Sequence, residues 1–262
     1  MTEVHPTALV SPKAEIGEGV KIGPFSVIEE DVVIGDETVV GAHSVIHSGT
    51  RIGKRNRVGE HVVLGGAPQH LSYKGERTFL IIGDDNVIRE FVSIHRSFVE
   101  GRATVVGNRC YIMASSHVGH DCVIGDGVII TSFVGISGHV EIEERAIIGG
   151  HVGIHQFVRI GRLSIVSGSS GVAQDVPPFC LAAGRPAKVY GLNVVGLRRA
   201  GFSSEKRLAI KRAFDLFYRS KLPKKEALRR IEEEFDLEEI RHFVEFIRNS
   251  ERGVCAFARK KG

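Results

Sequence analysis

Cysteine is scarce in this chain. Its four cysteines, among 262 residues, show none of the paired short spacings that hold zinc. They are also too few to cross-link a chain of this length through disulfides. A disulfide-stapled secreted domain and a structural zinc module are therefore excluded, and a cytoplasmic, reducing location is favoured.

Long apolar runs are absent as well. No stretch approaches the roughly 18 consecutive apolar residues that a membrane span needs. The first residues, 1–6, lack the basic stretch and apolar segment that are typical of a secretion signal. We therefore expect no stable membrane insertion.

Charge is nearly balanced except at the end of the chain. Residues 200–262 carry 16 of the 35 Lys and Arg and 11 of the 31 Asp and Glu, which leaves 19 against 20 elsewhere. A solvated helical surface explains most of these charges, while a basic tail favours an acidic protein or a phosphorylated ligand as partner. No nucleic-acid partner is expected.

The sequence is rich in a six-residue rhythm. A branched aliphatic residue returns every six positions, and a small or β-branched residue usually follows it four positions later, although Asn56 breaks this rule. A period of six suits neither a helix nor one alternating strand, but it suits short strands with a turn at each corner of a triangular coil. We therefore predict a parallel β-helix. The rhythmic residues, all in phase, are Val4, Val10, Ile16, Ile22, Ile28, Ile34, Val40, Ile46, Ile52, Val58, Leu64, Ile82, Ile88, Ile94, Val106, Ile112, Val118, Ile124, Ile130, Ile136, Ile142, Ile148, Ile154, Ile160, Val166 and Val172.

The rhythm also sets the predicted boundaries. The coil should cover residues 1–178, and two arrhythmic segments, 67–81 and 96–105, should leave it as loops, where ligand contacts usually lie. A connector is predicted over residues 179–200. Residues 201–262 should form a small α-helical domain.

The helical domain is predicted from a change of apolar spacing to three and four residues. Ser203 or Ser204 provides a cap for the first helix, and Pro223 starts the second. Asp236 with Glu239 resembles a capping box at the start of a third helix. The chain is thus expected to be mainly β with a helical tail.

The histidines supply the candidate chemistry. None of the twelve occupies an inward position of the hexad, so they should point outward or lie at corners. Three hexads make one coil, so a residue should lie beside the residue 18 positions later. This places Gly138 over His120 and His139 over Asp121. An imidazole base, a carboxylate that fixes its tautomer and a backbone N–H for an oxyanion would then meet at one height.

The residues also suggest two rival chemistries. Cys110 and Cys122 fall at inward positions, which argues against a covalent acyl-cysteine. A zinc site could use His117, His120 and His139, since catalytic zinc often takes three histidines, but the carboxylate and glycine neighbours already give His120 a role without metal. No metal and no cofactor are predicted.

Five local motifs recur in a fixed order: His117-Val118-Gly119-His120-Asp121-Cys122, Ile147-Ile148-Gly149-Gly150, His155-Gln156-Phe157, Ser170 through Pro178, and Gly191 through Arg199. With the hexads, they resemble the hexapeptide-repeat acyltransferases. Nearly end to end, they are similar to the acyl-carrier-protein:UDP-N-acetylglucosamine O-acyltransferases that begin lipid A synthesis. The resemblance implies a left-handed β-helix and a homotrimer with sites between subunits.

The resemblance also implies roles for single residues. His120 would take the proton from the 3-hydroxyl of UDP-N-acetylglucosamine, which then attacks the thioester of a 3-hydroxyacyl acyl carrier protein. Asp121 would orient His120, and the Gly138 N–H would stabilise the oxyanion. The residues implied to bind the donor or acceptor are Gln69, His70, Ser72, His117, His139, His155, Gln156, Gly168, Asn193 and Arg199.

The match departs from the family at three positions. His70 and Ser72 stand where the best-known members have Asp and Lys, and Val195 replaces a glutamate beside the uracil. The acceptor is therefore either UDP-N-acetylglucosamine or its 3-amino analogue. At Gly168 the family varies between glycine and bulky residues that shorten the acyl groove, which implies a long acyl donor here. A γ-carbonic-anhydrase-like metalloenzyme and a non-enzymatic scaffold are the alternatives from other classes.

Overall fold

The computed structural model describes residues 1–258, so residues 259–262 of the predicted helical domain lie outside the described residues. The hexads fold into short parallel strands joined by turns. Their rhythmic aliphatic side chains point inward, and Ile112, Ile130 and Ile148 are fully buried. Burial of one branched residue per strand stabilises every coil by the hydrophobic effect. The predicted parallel β-helix, followed by helices, is confirmed.

Twenty-six strands form the coils, most of them two residues long. In chain order they are β1 Glu3–Val4, β2 Leu9–Val10, β3 Glu15–Ile16, β4 Lys21–Ile22, β5 Val27–Ile28, β6 Val33–Ile34, β7 Val39–Val40, β8 Val45–Ile46, β9 Thr50–Ile52, β10 Arg57–Val58, β11 Val63–Gly66, β12 Phe79–Ile82, β13 Val87–Ile88, β14 Ser93–His95, β15 Ala103–Val106, β16 Tyr111–Ile112, β17 His117–Val118, β18 Val123–Ile124, β19 Ile129–Ile130, β20 Gly135–Ile136, β21 Glu141–Ile142, β22 Ile147–Ile148, β23 Gly153–Ile154, β24 Arg159–Ile160, β25 Ile165–Val166 and β26 Gly171–Val172.

The strands stack into three sheets, one on each side of the coil. Sheet A contains β1, β4 and every third strand up to β25, sheet B runs from β2 to β26, and sheet C runs from β3 to β24. Away from the loops, each residue pairs with the one 18 positions later, as His117 does with Gly135. Across the first loop the offset grows to 30, as for Val63 with Ser93, and across the second loop it is 24, as for Ser93 with His117.

Corner residues take an unusual backbone conformation. One residue per turn has a left-handed φ, including Asp121 at 60° and His139 at 58°. Such a φ is uncommon outside glycine, and here the stacked coils on both sides hold it in place. Asp121 and His139 therefore occupy the same corner of successive coils.

The two arrhythmic segments are shorter as loops than predicted. Strand β12 begins at Phe79 and strand β15 begins at Ala103, inside the predicted loops. Leu80 pairs with Thr50 on the preceding coil and its side chain is fully buried, so the ladder resumes before the hexad phase returns.

The region after the coil contains more structure than a connector. Strand β27, Cys180–Ala183, extends sheet A beside β25 and pairs antiparallel with β28, Lys188–Leu192. Up to residue 258, four helices follow: α1 Val194–Arg199, α2 Ser204–Tyr218, α3 Lys224–Glu234 and α4 Glu238–Arg248. None of the helices among the described residues is long and apolar enough to cross a membrane.

The helix caps agree with the sequence at two of three starts. Ser203 caps α2 by accepting from the Lys206 N–H, and Pro223 precedes α3. The capping box at Asp236 is wrong, because α4 is preceded by Leu237, which makes no side-chain cap. The Asp236 carboxylate pairs with Arg241 instead.

Candidate active site

The His120–Asp121 pair lies at the corner between sheets B and C. His120 Nδ1 is 2.7 Å from Asp121 Oδ2, and only 12% and 7% of the two side chains are exposed. An ionised carboxylate accepts hydrogen bonds but cannot donate them. The hydrogen between the two groups therefore lies on His120 Nδ1, and Nε2 keeps its lone pair. This is the tautomer that a general base needs.

Two further donors hold Asp121 in place. The Ser97 hydroxyl donates to Oδ1, and the Phe98 N–H donates to Oδ2 over 3.0 Å. Burial opposes ionisation of this carboxyl, but the hydrogen bonds from Ser97, Phe98 and His120 outweigh burial and lower its pKa. Sequence reasoning missed Ser97 and Phe98, whose only signal was the broken rhythm around them.

Gly138 lies against His120, as the 18-residue offset predicted. A Cβ at position 138 would lie 2.7 Å from His120 Nε2 and 2.6 Å from its Cε1, so any side chain there would displace the imidazole. Among the described residues, nothing accepts a hydrogen bond from the Gly138 N–H.

The free Gly138 N–H contrasts with two amides at the same position of other turns. At the corner between sheets C and A, the Glu18 N–H donates to Asp36 Oδ1 over 3.0 Å, and the Asn108 N–H donates to Asp126 Oδ1 over 2.8 Å. The backbone amide at this position of a turn can therefore bind an anionic oxygen from outside its own coil. We refer to it as the corner amide.

A cavity of about 950 Å³ opens beside His120 and Gly138, along the outer face of sheet B. We call it the main cavity. Cavities of this size suit a substrate with an apolar part and a few fixed polar contacts. Its lining residues are Gln69, His70, His95, His117, Gly119, His120, Gly135, Ile136, Ser137, Gly138, Gly153, Ile154, His155, Gln156, Ser170, Gly171, Val172, Ala173, Arg185 and Pro186.

Two histidines in the main cavity are held neutral. Burial, reinforced by the charge of His95, lowers the pKa of His117 to about 4, and its Nδ1 lies 2.9 Å from the Ser93 hydroxyl. Burial also lowers the pKa of His95. A hydrogen bond of 2.5 Å between His95 Nδ1 and Ala67 O acts in the opposite direction and offsets part of this shift. His95 was not predicted; it is the last residue of β14, directly before the second loop.

His139 lies on the other side of the same corner. Its Nε2 is 3.8 Å from Asp121 Oδ2, and its ring stacks on Phe157 with centroids 4.6 Å apart. Burial lowers its pKa, although the Asp121 charge acts in the opposite direction. His139 lines a second groove on the sheet C side, so in one chain it supports the carboxylate and does not line the main cavity.

Besides His139, four predicted binding residues lie outside the main cavity. Ser72 is in the first loop, where its N–H donates to His70 Nδ1. Gly168 lies at the corner between sheets A and B, close to Gly150 O. Asn193 and Arg199 line a third groove, of about 690 Å³, which runs along sheet A with Val195.

The Asn193 side chain already has a structural task. Its Nδ2 donates to Leu163 O over 2.9 Å, and its Oδ1 accepts from the Gly196 N–H over 2.9 Å at the start of α1. Hydrogen bonds of this kind anchor the helix to the coil. Arg199, in the last turn of α1, is the charged residue that this helix presents to the sheet A groove.

The metal and cysteine alternatives can be compared with the geometry. His120, Asp121 and His139 have ligand atoms within 4.8 Å of one another, a different set from the three histidines suggested by sequence. All the Asp121 oxygens are engaged in the hydrogen bonds described above. Burial raises the pKa of the Cys110 thiol to about 11 and that of Cys122 to about 12, so neither is a ready nucleophile.

Comparison with known families gives a consistent result. Residues 175–255 match the family model described as Udp N-acetylglucosamine O-acyltransferase, domain 2. Residues 13–48, 31–66 and 103–138 match the bacterial transferase hexapeptide model, which describes six repeats.

Individual relatives match over nearly their whole length. The acyl-carrier-protein UDP-N-acetylglucosamine O-acyltransferase of Thermodesulfovibrio yellowstonii is 46% identical over 257 residues, which cover 97% of this chain and 100% of the relative. The enzyme of that name from Halorhodospira halophila is 44% identical and covers 97% and 99%.

Solved structures agree. A UDP-N-acetylglucosamine acyltransferase from Bacteroides fragilis superposes with a TM-score of 0.93 at 41% identity, covering 95% of this chain and 98% of the other. The enzyme from Campylobacter jejuni also gives 0.93, at 32% identity, with 98% and 100% covered. The chain therefore belongs to the UDP-N-acetylglucosamine O-acyltransferase family.

Proposed function

We propose that this chain transfers a 3-hydroxyacyl group from acyl carrier protein to the 3-hydroxyl of UDP-N-acetylglucosamine, in the first step of lipid A biosynthesis. The names of the relatives support both substrates. The observation that carries the mechanism is the 2.7 Å bond from His120 Nδ1 to Asp121, which leaves the Nε2 lone pair facing the main cavity beside the corner amide.

The geometry supports a direct attack without a covalent enzyme intermediate. His120 Nε2 takes the proton from the 3-hydroxyl as the oxygen bonds to the thioester carbonyl carbon. The Gly138 N–H donates to the oxyanion that forms, and Asp121 stabilises the imidazolium. When the carbonyl re-forms, the carbon–sulfur bond breaks and the imidazolium returns the proton to the departing thiolate. The enzyme ends in its starting state.

A transfer assay tests this proposal. Purified protein, a 3-hydroxyacyl acyl carrier protein and UDP-N-acetylglucosamine should yield the 3-O-acylated UDP-sugar, and His120→Ala should lower turnover by about 10²–10⁴-fold with an unchanged circular dichroism spectrum. Near-normal turnover in that variant would remove His120 from the base role. Offering the 3-amino sugar in parallel decides between the two acceptors.

The placement of the predicted nucleotide residues supports a homotrimer with shared sites. Arg199 lines the groove on sheet A, whereas His120 opens onto sheet B, so the two face different sides of one coil. A single UDP-sugar that uses both would take the groove from one copy and the main cavity from its neighbour. Closed rings of this kind are built from one repeated heterologous contact.

Mixed oligomers provide the test of shared sites. His120→Ala and Arg199→Ala chains should each be inactive alone, yet trimers assembled at random from equal amounts of both should regain about a quarter of wild-type activity. Light scattering reports the oligomeric state independently. If mixing restores no activity while trimers form, both residues act within one chain's site.

A further inference from the structure

His70 occupies a fixed position beside the catalytic base. It belongs to the first loop and lines the main cavity. Its ring lies over Phe98, with centroids 3.9 Å apart, and meets His120 edge-on at 5.5 Å with an interplanar angle of 88°. Phe98 contacts both imidazoles, since its centroid is 5.9 Å from that of His120. Aromatic contacts of this kind restrict the orientation of the ring.

The tautomer of His70 follows from one backbone contact. The Ser72 N–H donates to His70 Nδ1 over 3.3 Å. An N–H group can only donate, so Nδ1 carries the lone pair and the hydrogen of the neutral ring is on Nε2. That Nε2 has no hydrogen-bond partner within residues 1–258.

The two neighbouring imidazoles therefore offer opposite functions. His120 presents a lone pair at Nε2, because Asp121 engages its Nδ1–H. His70 presents an N–H at Nε2. A sugar with oxygens on adjacent carbons matches this pair, because one hydroxyl can donate to His120 while the neighbouring oxygen accepts from His70.

We propose that His70 is a specificity residue that donates a hydrogen bond to the 4-hydroxyl of the acceptor sugar, on the carbon next to the one that carries the reacting 3-hydroxyl. The inference rests on the proposed acyl transfer to UDP-N-acetylglucosamine.

Sugar analogues reveal the direction of a hydrogen bond. A fluorine in place of a hydroxyl accepts weakly and donates nothing, whereas a hydrogen does neither. The experiment measures kcat/KM for UDP-N-acetylglucosamine and for its 4-fluoro and 4-deoxy analogues. Wild type should lose about tenfold on the 4-deoxy analogue and clearly less on the 4-fluoro analogue.

Three variants test whether His70 causes this pattern. His70→Phe keeps a ring on Phe98 but has no donor, so the fluoro and deoxy analogues should become equal. His70→Asp should likewise treat the two alike, because both lack the hydroxyl hydrogen that a carboxylate needs. His70→Asn, which has an N–H donor, should retain part of the preference.

The result that overturns the inference is distinct from failure of the proposed function. If wild type treats the 4-fluoro and 4-deoxy analogues alike, or if His70→Phe keeps the wild-type preference, His70 is not the donor. If wild type transfers no acyl group to UDP-N-acetylglucosamine at all, the proposed function itself is wrong.

Discussion

The Ser97 hydroxyl donates a hydrogen bond to Asp121 Oδ1 from a loop that lies 24 residues earlier in the chain. Ser97 is fully buried, and its Oγ also accepts from the Val99 N–H over 3.0 Å. Asp121 in turn holds His120. The second loop therefore acts on the base through the carboxylate.

Ser97→Ala should lower turnover by about tenfold, because a hydrogen bond to an ionised group contributes about 1.5–3 kcal/mol. Removal of the Ser97 hydrogen bond also raises the pKa of Asp121, so activity should begin to fall at a higher pH as the solution is acidified. Steady-state rates across pH measure both effects. Ser97→Thr, which keeps the hydroxyl, is the control. If the pH at which activity falls on the acid side is unchanged in Ser97→Ala, Ser97 has only a structural role.

Stability at mildly acid pH should depend on His117. Its folded pKa of about 4 lies below the unfolded value of 6.5, so the unfolded chain binds more protons between these values and stability falls as pH drops through that window. After allowance for its partial exposure, the cost is about 1–2 kcal/mol at pH 5. Urea midpoints at pH 7 and pH 5 should differ less for His117→Gln than for wild type. Equal shifts would show that His117 is protonated in the folded protein.

The basic tail is predicted to bind the acidic carrier protein, and the structure selects Arg212 for the test. Of the candidates Lys206, Arg207, Lys211, Arg212 and Arg219, three already pair with carboxylates: Lys206 with Glu239, and Lys211 and Arg219 with Asp215. Arg207 donates to Phe202 O. Within residues 1–258, Arg212 has no carboxylate partner, and it lines a pocket between α2 and α3.

Arg212→Glu should raise KM for the carrier-bound donor several-fold more than KM for the UDP-sugar, because exposed charges steer association. The difference should shrink at high salt. Lys13→Glu, at the other end of the coil, makes the same change of charge and should leave both constants unaltered. Equal increases in both KM values for Arg212→Glu would point to a folding defect.

The family resemblance predicts that Gly168 sets the length of the acyl donor. Gly153, which lines the main cavity, provides a comparison. A Cβ at Gly168 would lie 3.2 Å from Gly150 O, outside the main cavity, whereas a Cβ at Gly153 has open space within it. Gly168→Met should shift preference from long to shorter 3-hydroxyacyl donors, since each buried methylene contributes about 0.8 kcal/mol. Competition between donors of different length measures this. If only Gly153→Met shifts the preference, the residue that limits donor length lies on sheet B and is not Gly168.

The coil was predictable because its physics is local. One branched aliphatic residue per hexad is enough to fix which side chains point inward, and the 18-residue offset then places Gly138 on His120 without any knowledge of the rest of the chain. The predicted cluster of His120, Asp121 and Gly138 forms for this reason.

The loops were not predictable because their contacts join distant segments. Arg96 donates to the Tyr73 hydroxyl over 3.1 Å and to Gly65 O over 2.9 Å, so the two loops fold against each other. No periodicity encodes such pairs. For the same reason the sequence could suggest a ligand at Asn193 but could not show that its side chain caps α1.

The residues around the unoccupied corner amide at Gly138 differ from those at the turns of Glu18 and Asn108, where the amide is bonded. Where an Asp of the next coil accepts from this amide, the preceding residue is glycine: a Cβ at Gly17 would lie 2.6 Å from Asp36 Oδ1, and one at Gly107 would lie 2.5 Å from Asp126 Oδ1. Position 137 is Ser, and position 156 on the next coil is Gln.

Ser137 and Gln156 therefore leave the Gly138 N–H without the internal carboxylate that the amides of Glu18 and Asn108 bind. Introducing both Ser137→Gly and Gln156→Asp should bring a carboxylate onto the Gly138 N–H and produce a stable coil that inhibits itself. Either change alone should leave that amide available to substrate. Catalysis then depends on the absence of an internal carboxylate beside the Gly138 N–H.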